Sequence, residues 1–307
     1  MLQPHTAHDA EIVAHHEVVD HVHAAGGAVL QGDDAVAAKT LFDGGKDGLK
    51  VGEVHHVGVA EQLFRRLLGV SALHALTGHH GAGGEQRGRG LNGLGDFGGE
   101  GVGAAFRDLG VDYIVPGGQT MNPSTDDILK AIELTPAETV FVLPNNKNII
   151  MAAEQTIPIS TRKVIVIHTR TIPQGISAML SFDPDSDDNA NAIEMQKATE
   201  RVATGQVTFA ARDADFDGFK IKKGELMALL GGKVNFVDTD LEKTVLKLLK
   251  KMVKSSSEFI TVIHGSDVTE EQAASIEAQI EEKFGSKAEI TFINGGQPIY
   301  YYILSVE

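Results

Sequence analysis

From residue 99 onward, short apolar runs alternate with polar loops and amphipathic stretches. The runs Val111–Val115, Thr139–Leu143 and Lys163–His168 are almost continuously apolar, as is typical of strands that are covered on both faces. Each run is followed by a polar loop and then by a helical pattern. This threefold succession of strand, loop and helix predicts a parallel sheet of the α/β class with flanking helices.

The last third of the chain predicts a second, smaller α/β lobe. Two helix starts carry capping-box spacing, Ser124 with Asp127 in the first lobe and Thr269 with Gln272 in the second. A hairpin is expected around Asp217-Gly218. The other elements expected in the second lobe are the strand Gln206–Ala211, the amphipathic helix Thr239–Lys254, the strand Phe259–His264, the helix Thr269–Phe284, and the strands Ala288–Ile293 and Pro298–Val306. The expected lobes are residues 99–205 and 206–307.

Residues 1–98 differ in composition from the rest of the chain. The first 100 residues hold 11 of the 13 histidines and 19 of the 34 glycines but a single isoleucine. Short helices are plausible near Ala10–Ala24 and Val59–Leu76, while Gly81–Gly103 is expected to be a flexible linker because glycine is costly in regular elements. The segment is therefore predicted to be irregular or partly helical, and disordered or non-native, as a wrong reading frame or a spurious upstream start would produce.

The histidines of this first segment allow two interpretations. His16 and Asp20 have the i, i+4 spacing that places two metal ligands on one helix face, and His15, His21 and His23 lie close by. The spacing does not match the H-E-x-x-H motif. Compositional enrichment in histidine is the preferred interpretation, and a divalent-metal site is the alternative.

Composition narrows the classes of partner. The chain has no cysteine, which excludes disulfides and thiolate chemistry and suits a cytoplasmic protein. Its formal net charge of −15 disfavours nucleic acid as a partner. No apolar run approaches the roughly 20 residues that span a bilayer. No basic region followed by an apolar region opens the sequence, so export by a signal peptide is not expected.

Three polar loops follow the carboxyl ends of the three predicted parallel strands, which is the edge where open α/β sheets bind ligands. Lys147 and Arg170 could supply positive charge there, and the helix that starts near Ser124 could turn its free N–H groups toward an anion. Ligand binding and simple turn chemistry, in which these side chains satisfy the local backbone, are equally compatible with the pattern. The candidate ligand- or partner-binding residues are Gly117, Gly118, Gln119, Thr120, Asn122, Ser124, Thr125, Asn145, Asn146, Lys147, Asn148, Arg170, Thr171 and Gln174.

Other polar features are interpreted as structural. His168 and His264 stand at strand ends, the aspartates 213, 215 and 217 fit a hairpin better than a metal loop, and Asp183–Asp188 is expected to be a solvated acidic loop. Neither a nucleophile-elbow motif nor a P-loop motif occurs. The sequence therefore predicts no catalytic residue and no metal ligand.

Several long motifs, in order, carry a resemblance to a known family. They are Gly99–Gly101, Phe106–Asp112, GGQTMNPST at Gly117–Thr125, LPNNKNI at Leu143–Ile149, TRTIPQG at Thr169–Gly175, TGQVT at Thr204–Thr208 and GGQPIYYYILSVE at Gly295–Glu307. Residues 99–307 resemble the carboxyl-terminal part of the YloV-type kinase subunits of bacterial fatty acid kinases, in the dihydroxyacetone-kinase-like family.

The resemblance implies a division of labour between domains. In the family an amino-terminal helical domain of the dihydroxyacetone-kinase L type binds ATP and magnesium through aspartates, and a middle domain contributes to a homodimer. The carboxyl-terminal domain has a DegV-like fold and is expected to dock the acyl-binding, DegV-type partner whose fatty acid becomes an acyl phosphate. Residues 1–98 do not resemble the ATP-binding domain, so neither ATP nor magnesium is expected to bind this chain.

Three hypotheses are compatible with the sequence. The chain could be a docking module of a fatty acid kinase subunit that lacks kinase activity of its own. It could be a DegV-style protein that binds a fatty acid or a small anion with its crevice loops. It could also be part of an enzyme whose kinase domain is encoded separately and associates in trans.

Overall fold

The computed structural model describes residues 87–96, 99–117, 122–216 and 218–307, which all belong to one compact unit, Leu63–Glu307. The histidine-rich cluster and the helices expected before residue 77 lie outside these described residues. Within them, two sheets define two lobes.

The first lobe is built on a parallel sheet with the strand order β2-β1-β3-β4. Its elements follow one another as strand, helix, strand, which confirms the predicted α/β class. They are β1 (Arg87–Asp96), α1 (Glu100–Asp108), β2 (Tyr113–Gly117), α2 (Thr125–Leu134), β3 (Ala137–Leu143), α3 (Ile150–Glu154), β4 (Lys163–Val166), α4 (Ile172–Leu180) and α5 (Asp188–Arg201).

The second lobe contains a mixed sheet with the order β11-β10-β12-β5-β8-β9 and a separate hairpin of β6 and β7. Its central strands pair antiparallel, and only β10 and β11 run parallel. The elements are β5 (Ala203–Phe209), β6 (Ala214–Phe216), β7 (Phe219–Ile221), β8 (Leu226–Leu230), β9 (Lys233–Asp238), α6 (Leu241–Met252), β10 (Phe259–His264), α7 (Glu270–Phe284), β11 (Glu289–Asn294) and β12 (Tyr300–Val306).

The helices are arranged in layers around the two sheets. On the outer face of the first sheet, α2 and α3 bury a cluster that includes Ile128, Ile132 and Val140. The opposite face of that sheet carries Phe141, whose ring meets Phe182 edge to face at 5.6 Å. From this inner side, α1 and α4 contact β11 and β12 of the second sheet. The outer face of the second sheet is covered by α6 and α7.

Strand β1 corrects one expectation from the sequence. Residues 87–96 were expected to be flexible or non-native, yet they form a strand that pairs with both β2 and β3. Four of its ten residues are glycine, which is why the pattern of side chains gave no strand signal. The crowding around the strand explains part of this composition, because a Cβ at Gly90 would collide with the side chain of Thr135.

The capping boxes and the turn around Gly218 were better predicted than β1. Both capping boxes are confirmed: Ser124 and Asp127 exchange the two bonds at the start of α2, and Thr269 and Gln272 do so at the start of α7. The hairpin around Gly218 is confirmed as β6 and β7. Among the described residues, no helix is both long and apolar enough to cross a membrane.

Candidate functional site

The strand order places a topological switch point at the carboxyl edge of the first sheet. The connection after β1 leads through α1 to β2 on one side, whereas the connection after β3 leads through α3 to β4 on the other side. The two connections leave from neighbouring strands onto opposite faces of the sheet. Such a switch point is where open α/β sheets form a ligand crevice, so the candidate site is assigned to the carboxyl ends of β1 and β3.

Asn145 is a buried polar residue at this edge. It follows β3, has a left-handed φ of 55° and donates its backbone N–H to Oγ1 of the buried Thr169 at 2.9 Å. A Cβ at position 175 would collide with the amide group of Asn145 and crowd the ring of Phe106. Gly175 is therefore the residue that allows α4 to approach the loop after β3.

Hydrogen bonds from side chains to nearby backbone groups fix the loop after β4. Oε1 of Gln174 accepts from the N–H of Arg170 at 2.7 Å, and Nε2 of Gln174 donates to the carbonyl of Thr199 at 3.2 Å. Thr171 caps α4 and shares a 2.9 Å hydroxyl hydrogen bond with Thr204 of the second lobe. Thr171 and Gln174 thus position this loop, while the side chain of Arg170 extends into solvent.

The start of α2 does not suit an anion. Asp127 accepts from the backbone N–H of Ser124 at 3.0 Å, and the hydrogen bonds from Ser124 lower the pKa of Asp127. The first turn also contains Asp126, so an incoming anion would meet two carboxylates. Thr125 donates its hydroxyl to Gln155 at 2.9 Å, and Asn122 is exposed. The expected anion site at this helix start is therefore disfavoured by its own capping box.

The loop after β3 combines a turn with an exposed cation. Oδ1 of Asn146 accepts from the N–H of Asn148 at 3.0 Å, so Asn146 forms a local turn. Lys147 and Asn148 are exposed. Within the described part of the chain, neither Lys147 nor Arg170 makes a side-chain hydrogen bond or ion pair. Because β3 and β4 are neighbouring strands, two solvent-facing cations stand on adjacent loops.

Part of the predicted site lies beyond what the structure describes. Gly117 ends β2, but Gly118, Gln119 and Thr120 are outside the described residues.

The sequence reasoning also missed the contribution of the second lobe. Gly99 and Gly101 lie against the backbone of residues 294–297, where a Cβ on either glycine would collide. The motif Gly99-Glu100-Gly101 was the signal for this contact, and it follows β1, which the pattern did not predict.

The sequence also singled out two histidines at strand ends and the acidic loop that contains Asp188. His168 contacts Glu154 at 3.0 Å on the surface. His264 is half buried, and burial lowers its pKa. Asp188 was expected in a solvated loop, but it accepts from Thr139 at 2.9 Å and from Lys163 at 2.8 Å. Across the described ranges, no cluster of three or more potential metal ligands occurs.

Comparison with known proteins identifies the family. The FakA-like C-terminal family model, which describes the carboxyl-terminal part of a fatty acid kinase subunit, matches residues 96–307. The chain belongs to this family. Over 209 residues, 68% of this chain, it is 43% identical to protein YloV of Bacillus subtilis and 42% identical to an uncharacterised protein of Staphylococcus aureus, and it spans 38% of the length of each.

Solved structures with similar folds agree with the family. The dihydroxyacetone kinase of C. freundii in complex with AMP-PNP and Mg²⁺ aligns with a TM-score of 0.53 at 12% identity, covering 83% of this chain and 57% of the kinase. A DegV-family protein from Ruminococcus gnavus, refined with vaccenic acid, aligns with a TM-score of 0.51 at 12% identity over 71% of this chain and 99% of that protein. The expected DegV-like fold is confirmed, and the region that matches the FakA-like family begins where β1 ends.

Proposed function

We propose that residues 96–307 act as the carboxyl-terminal docking module of a fatty-acid-kinase subunit. In this function the module binds an acyl-binding protein of the DegV type, and another domain or chain supplies phosphoryl transfer. The observation that carries the proposal is the family match over residues 96–307. The match to YloV covers only 38% of that protein's length, and in this proposal ATP and magnesium bind in a part of such a subunit that this chain does not match.

Two exposed cations at the carboxyl edge of the first sheet support a docking role. Lys147 and Arg170 stand on adjacent loops of a chain whose formal net charge is −15. Each extends into solvent without an acidic partner among the described residues. An arginine can hold a carboxylate through two parallel hydrogen bonds, and a lysine adds a mobile positive charge. The partner surface that fits them carries aspartate or glutamate side chains.

A binding measurement tests this proposal. The probe is a DegV-family protein from the same genome, loaded with palmitic acid and titrated calorimetrically into the full chain. We expect binding, and we expect Lys147→Glu and Arg170→Glu each to weaken it at least about tenfold, since reversing a charge at an interface costs more than about 1.4 kcal/mol. Lys287→Glu, an equal change at an exposed site remote from the crevice, is the control. Unchanged affinity in both crevice variants would contradict the assignment of this edge.

A second experiment tests whether another domain or chain supplies phosphoryl transfer. The full chain, the palmitate-loaded partner and MgATP are mixed, and acyl phosphate is trapped with hydroxylamine. We expect no acyl hydroxamate from this chain, and we expect its formation when the amino-terminal part of YloV is added. Product formed without that addition would show that a phosphoryl-transfer site exists in this chain.

A second candidate function is binding of a fatty acid or small anion by the module itself. It is favoured by the similarity of fold to a DegV-family protein from Thermus thermophilus that is described as binding fatty acid, with a TM-score of 0.50 at 13% identity. Extraction of the purified chain with organic solvent, followed by mass spectrometry, distinguishes the two functions. About one fatty acid per chain favours direct binding, and a lipid-free chain that still binds the acyl carrier favours docking.

A further inference from the structure

Every exposed residue of helix α6 is a lysine. The opposite side of the helix is apolar, since Val245, Leu248 and Leu249 are buried in the core of the second lobe. The exposed residues are Lys243, Lys247, Lys250 and Lys251. Spacings of three and four residues place these lysines along one side of the helix. The solvent side of α6 is therefore cationic, in a chain whose formal net charge is −15.

Part of this pattern has a structural explanation. Cations in the last turn of a helix stabilise its dipole, which accounts for Lys250 and Lys251. Lys243 pairs with Asp238 at 3.0 Å. The dipole does not account for Lys247, which lies in the middle of the helix. Among the described residues, Lys247, Lys250 and Lys251 make no ion pair, so their charge remains free to attract an external anion.

The neighbouring strand β9 holds two of the lysines and adds a third cation. Lys247 and Lys251 lie over the ring of Phe236, at 4.0 and 5.2 Å from its centroid, where the aromatic face attracts a cation. Lys251 also donates to Oδ1 of Asn235. Lys233 is exposed at the first residue of β9, two residues before Asn235. We call the four exposed lysines of α6 together with Lys233 the basic face.

The acidic residues near the basic face lie at its borders. Glu242 accepts hydrogen bonds from Ser275 at 2.8 Å and from Gln279 at 2.9 Å, so α7 lies on the side of α6 that is turned away from β9. Asp238 and Asp240 precede the helix, and Asp240 caps it. From the second turn of α6 to its end, the exposed side of the helix contains no carboxylate.

A lipid surface fits the basic face better than other anions do. Directed recognition of carboxylates and nucleic acids favours arginine forks and aromatic rings, and the exposed residues of α6 include neither. A membrane presents a broad layer of negative charge, which attracts clustered lysines without a fixed hydrogen-bond geometry. Neither α6 nor β9 exposes a large apolar side chain, so the contact is with headgroups and needs no insertion. We propose that the basic face binds anionic phospholipid headgroups at a membrane surface.

This inference goes beyond the function proposed above. Long apolar chains such as those of fatty acids concentrate in bilayers, because burying each methylene group is favourable. A module that docks an acyl-binding protein and also adheres to the membrane would meet its partner where fatty acids are taken up. The binding of lipid itself depends only on the charges of the basic face.

Cosedimentation of the full chain with vesicles tests the proposal. We expect the chain to sediment with phosphatidylglycerol vesicles but not with phosphatidylcholine vesicles. Binding should be lost in about 1 M salt, where the Debye length is about 3 Å. Each lysine near an anionic surface strengthens binding about fivefold, so Lys247→Glu with Lys250→Glu should weaken it at least about 25-fold. Lys247→Arg with Lys250→Arg preserves the charge and should preserve binding.

The matched control is Lys130→Glu with Lys197→Glu, an equal change in charge at exposed positions of α2 and α5, which should bind nearly as tightly as the wild type. The proposal would be overturned by a wild-type chain that ignores phosphatidylglycerol vesicles or that binds both kinds of vesicle equally. Equal losses in the two glutamate variants would also overturn it.

Competition identifies the class of anion. Duplex DNA or a polyglutamate peptide that binds the chain more tightly than phosphatidylglycerol vesicles would assign the basic face to a nucleic acid or an acidic protein, and would overturn the proposal for lipid. No acyl carrier takes part in these measurements. Their failure would therefore leave the docking function standing, and the failure of docking would leave lipid binding standing.

Discussion

Val102 donates its backbone N–H to the carbonyl oxygen of Gly295 at 3.2 Å. This bond connects the first turn of α1, in the first lobe, to the loop between β11 and β12 in the second lobe. Gly101, next to Val102, allows the two backbones to meet, because a side chain there would collide with the carbonyl group of Asn294. At this point the junction between the lobes is a main-chain contact.

Replacing Gly101 with alanine should destabilise the chain. The backbone of Asn294 cannot move aside as a flexible side chain would, so we expect a loss of about 1–3 kcal/mol in the free energy of unfolding. Gly103→Ala in the same helix is the matched control. Its Cβ would have its nearest neighbour at 3.6 Å, and the substitution should stabilise the helix by up to about 1 kcal/mol. Urea unfolding followed by circular dichroism measures both, and equal effects would contradict the steric explanation.

Stability should depend on the ionisation of Asp188. Burial alone would raise the pKa of this carboxyl, but hydrogen bonds from Lys163, Arg89 and Thr139 outweigh burial and lower it from 3.8 to about 2. The resulting stabilisation, on the order of 2 kcal/mol, is present above about pH 4 and is lost as the pH falls through 2. Asp188→Asn should therefore flatten the dependence of stability on pH in this window. The exposed Asp267→Asn should leave the dependence unchanged; if both variants behave alike, the ion pairs of Asp188 do not stabilise the fold.

Replacing Ser124, which caps α2, should change the titration of Asp127. Hydrogen bonds from the hydroxyl and the backbone of Ser124 lower the pKa of Asp127. Ser124→Ala removes the hydroxyl, so the pKa of Asp127 should rise toward its ordinary value. Carboxyl carbon NMR across the acidic range reports this directly. Thr269→Ala, which removes the equivalent cap of α7, should leave the titration of Asp127 where it was, and a shift there would point to a global change instead.

The hydroxyl of Tyr302 should be dispensable for folding. The residue is 1% exposed, and its hydroxyl has no hydrogen-bond partner among the described residues. Tyr302→Phe keeps the ring and removes a buried polar group, so we expect stability to be unchanged or raised by up to about 1 kcal/mol. Tyr302→Ala should lower the free energy of unfolding by about 3–5 kcal/mol because it leaves a cavity in the core between the second sheet and its helices. A marked loss in the phenylalanine variant would indicate that the hydroxyl has a stabilising partner.

Local signals in the sequence were sufficient for most of the fold. The capping boxes at Ser124 and Thr269 and the apolar runs of β3 and β10 predicted the corresponding elements close to their observed bounds. These signals depend on side chains only a few residues apart, so they can be interpreted without knowledge of the tertiary fold. Strand β1 could not be predicted in this way, because its pairing with β2 and β3 uses main-chain groups that every residue carries.

The surroundings of the candidate site residues could not be predicted in detail. The order of strands and loops predicted that these residues follow the carboxyl ends of parallel strands, as β2, β3 and β4 show. It could not indicate that Gln174 is engaged with Arg170 and Thr199, or that Asp127 occupies the start of α2, because these bonds depend on exact distances. The long-range role of Asp188 was missed for the same reason, since Thr139 lies 49 residues away.

The central position of the glycine-rich strand β1 has a consequence for motion within the fold. A central strand normally holds its neighbours through packed side chains as well as through its ladder of hydrogen bonds, whereas four of the ten residues of β1 are glycine. The pairing of β2 with β1 therefore depends more on main-chain hydrogen bonds, and local openings need less energy than global unfolding. Deuterium should enter the amides of β1 and β2 well before those of β10 and β12, so this edge of the first sheet should open more readily than the centre of the second.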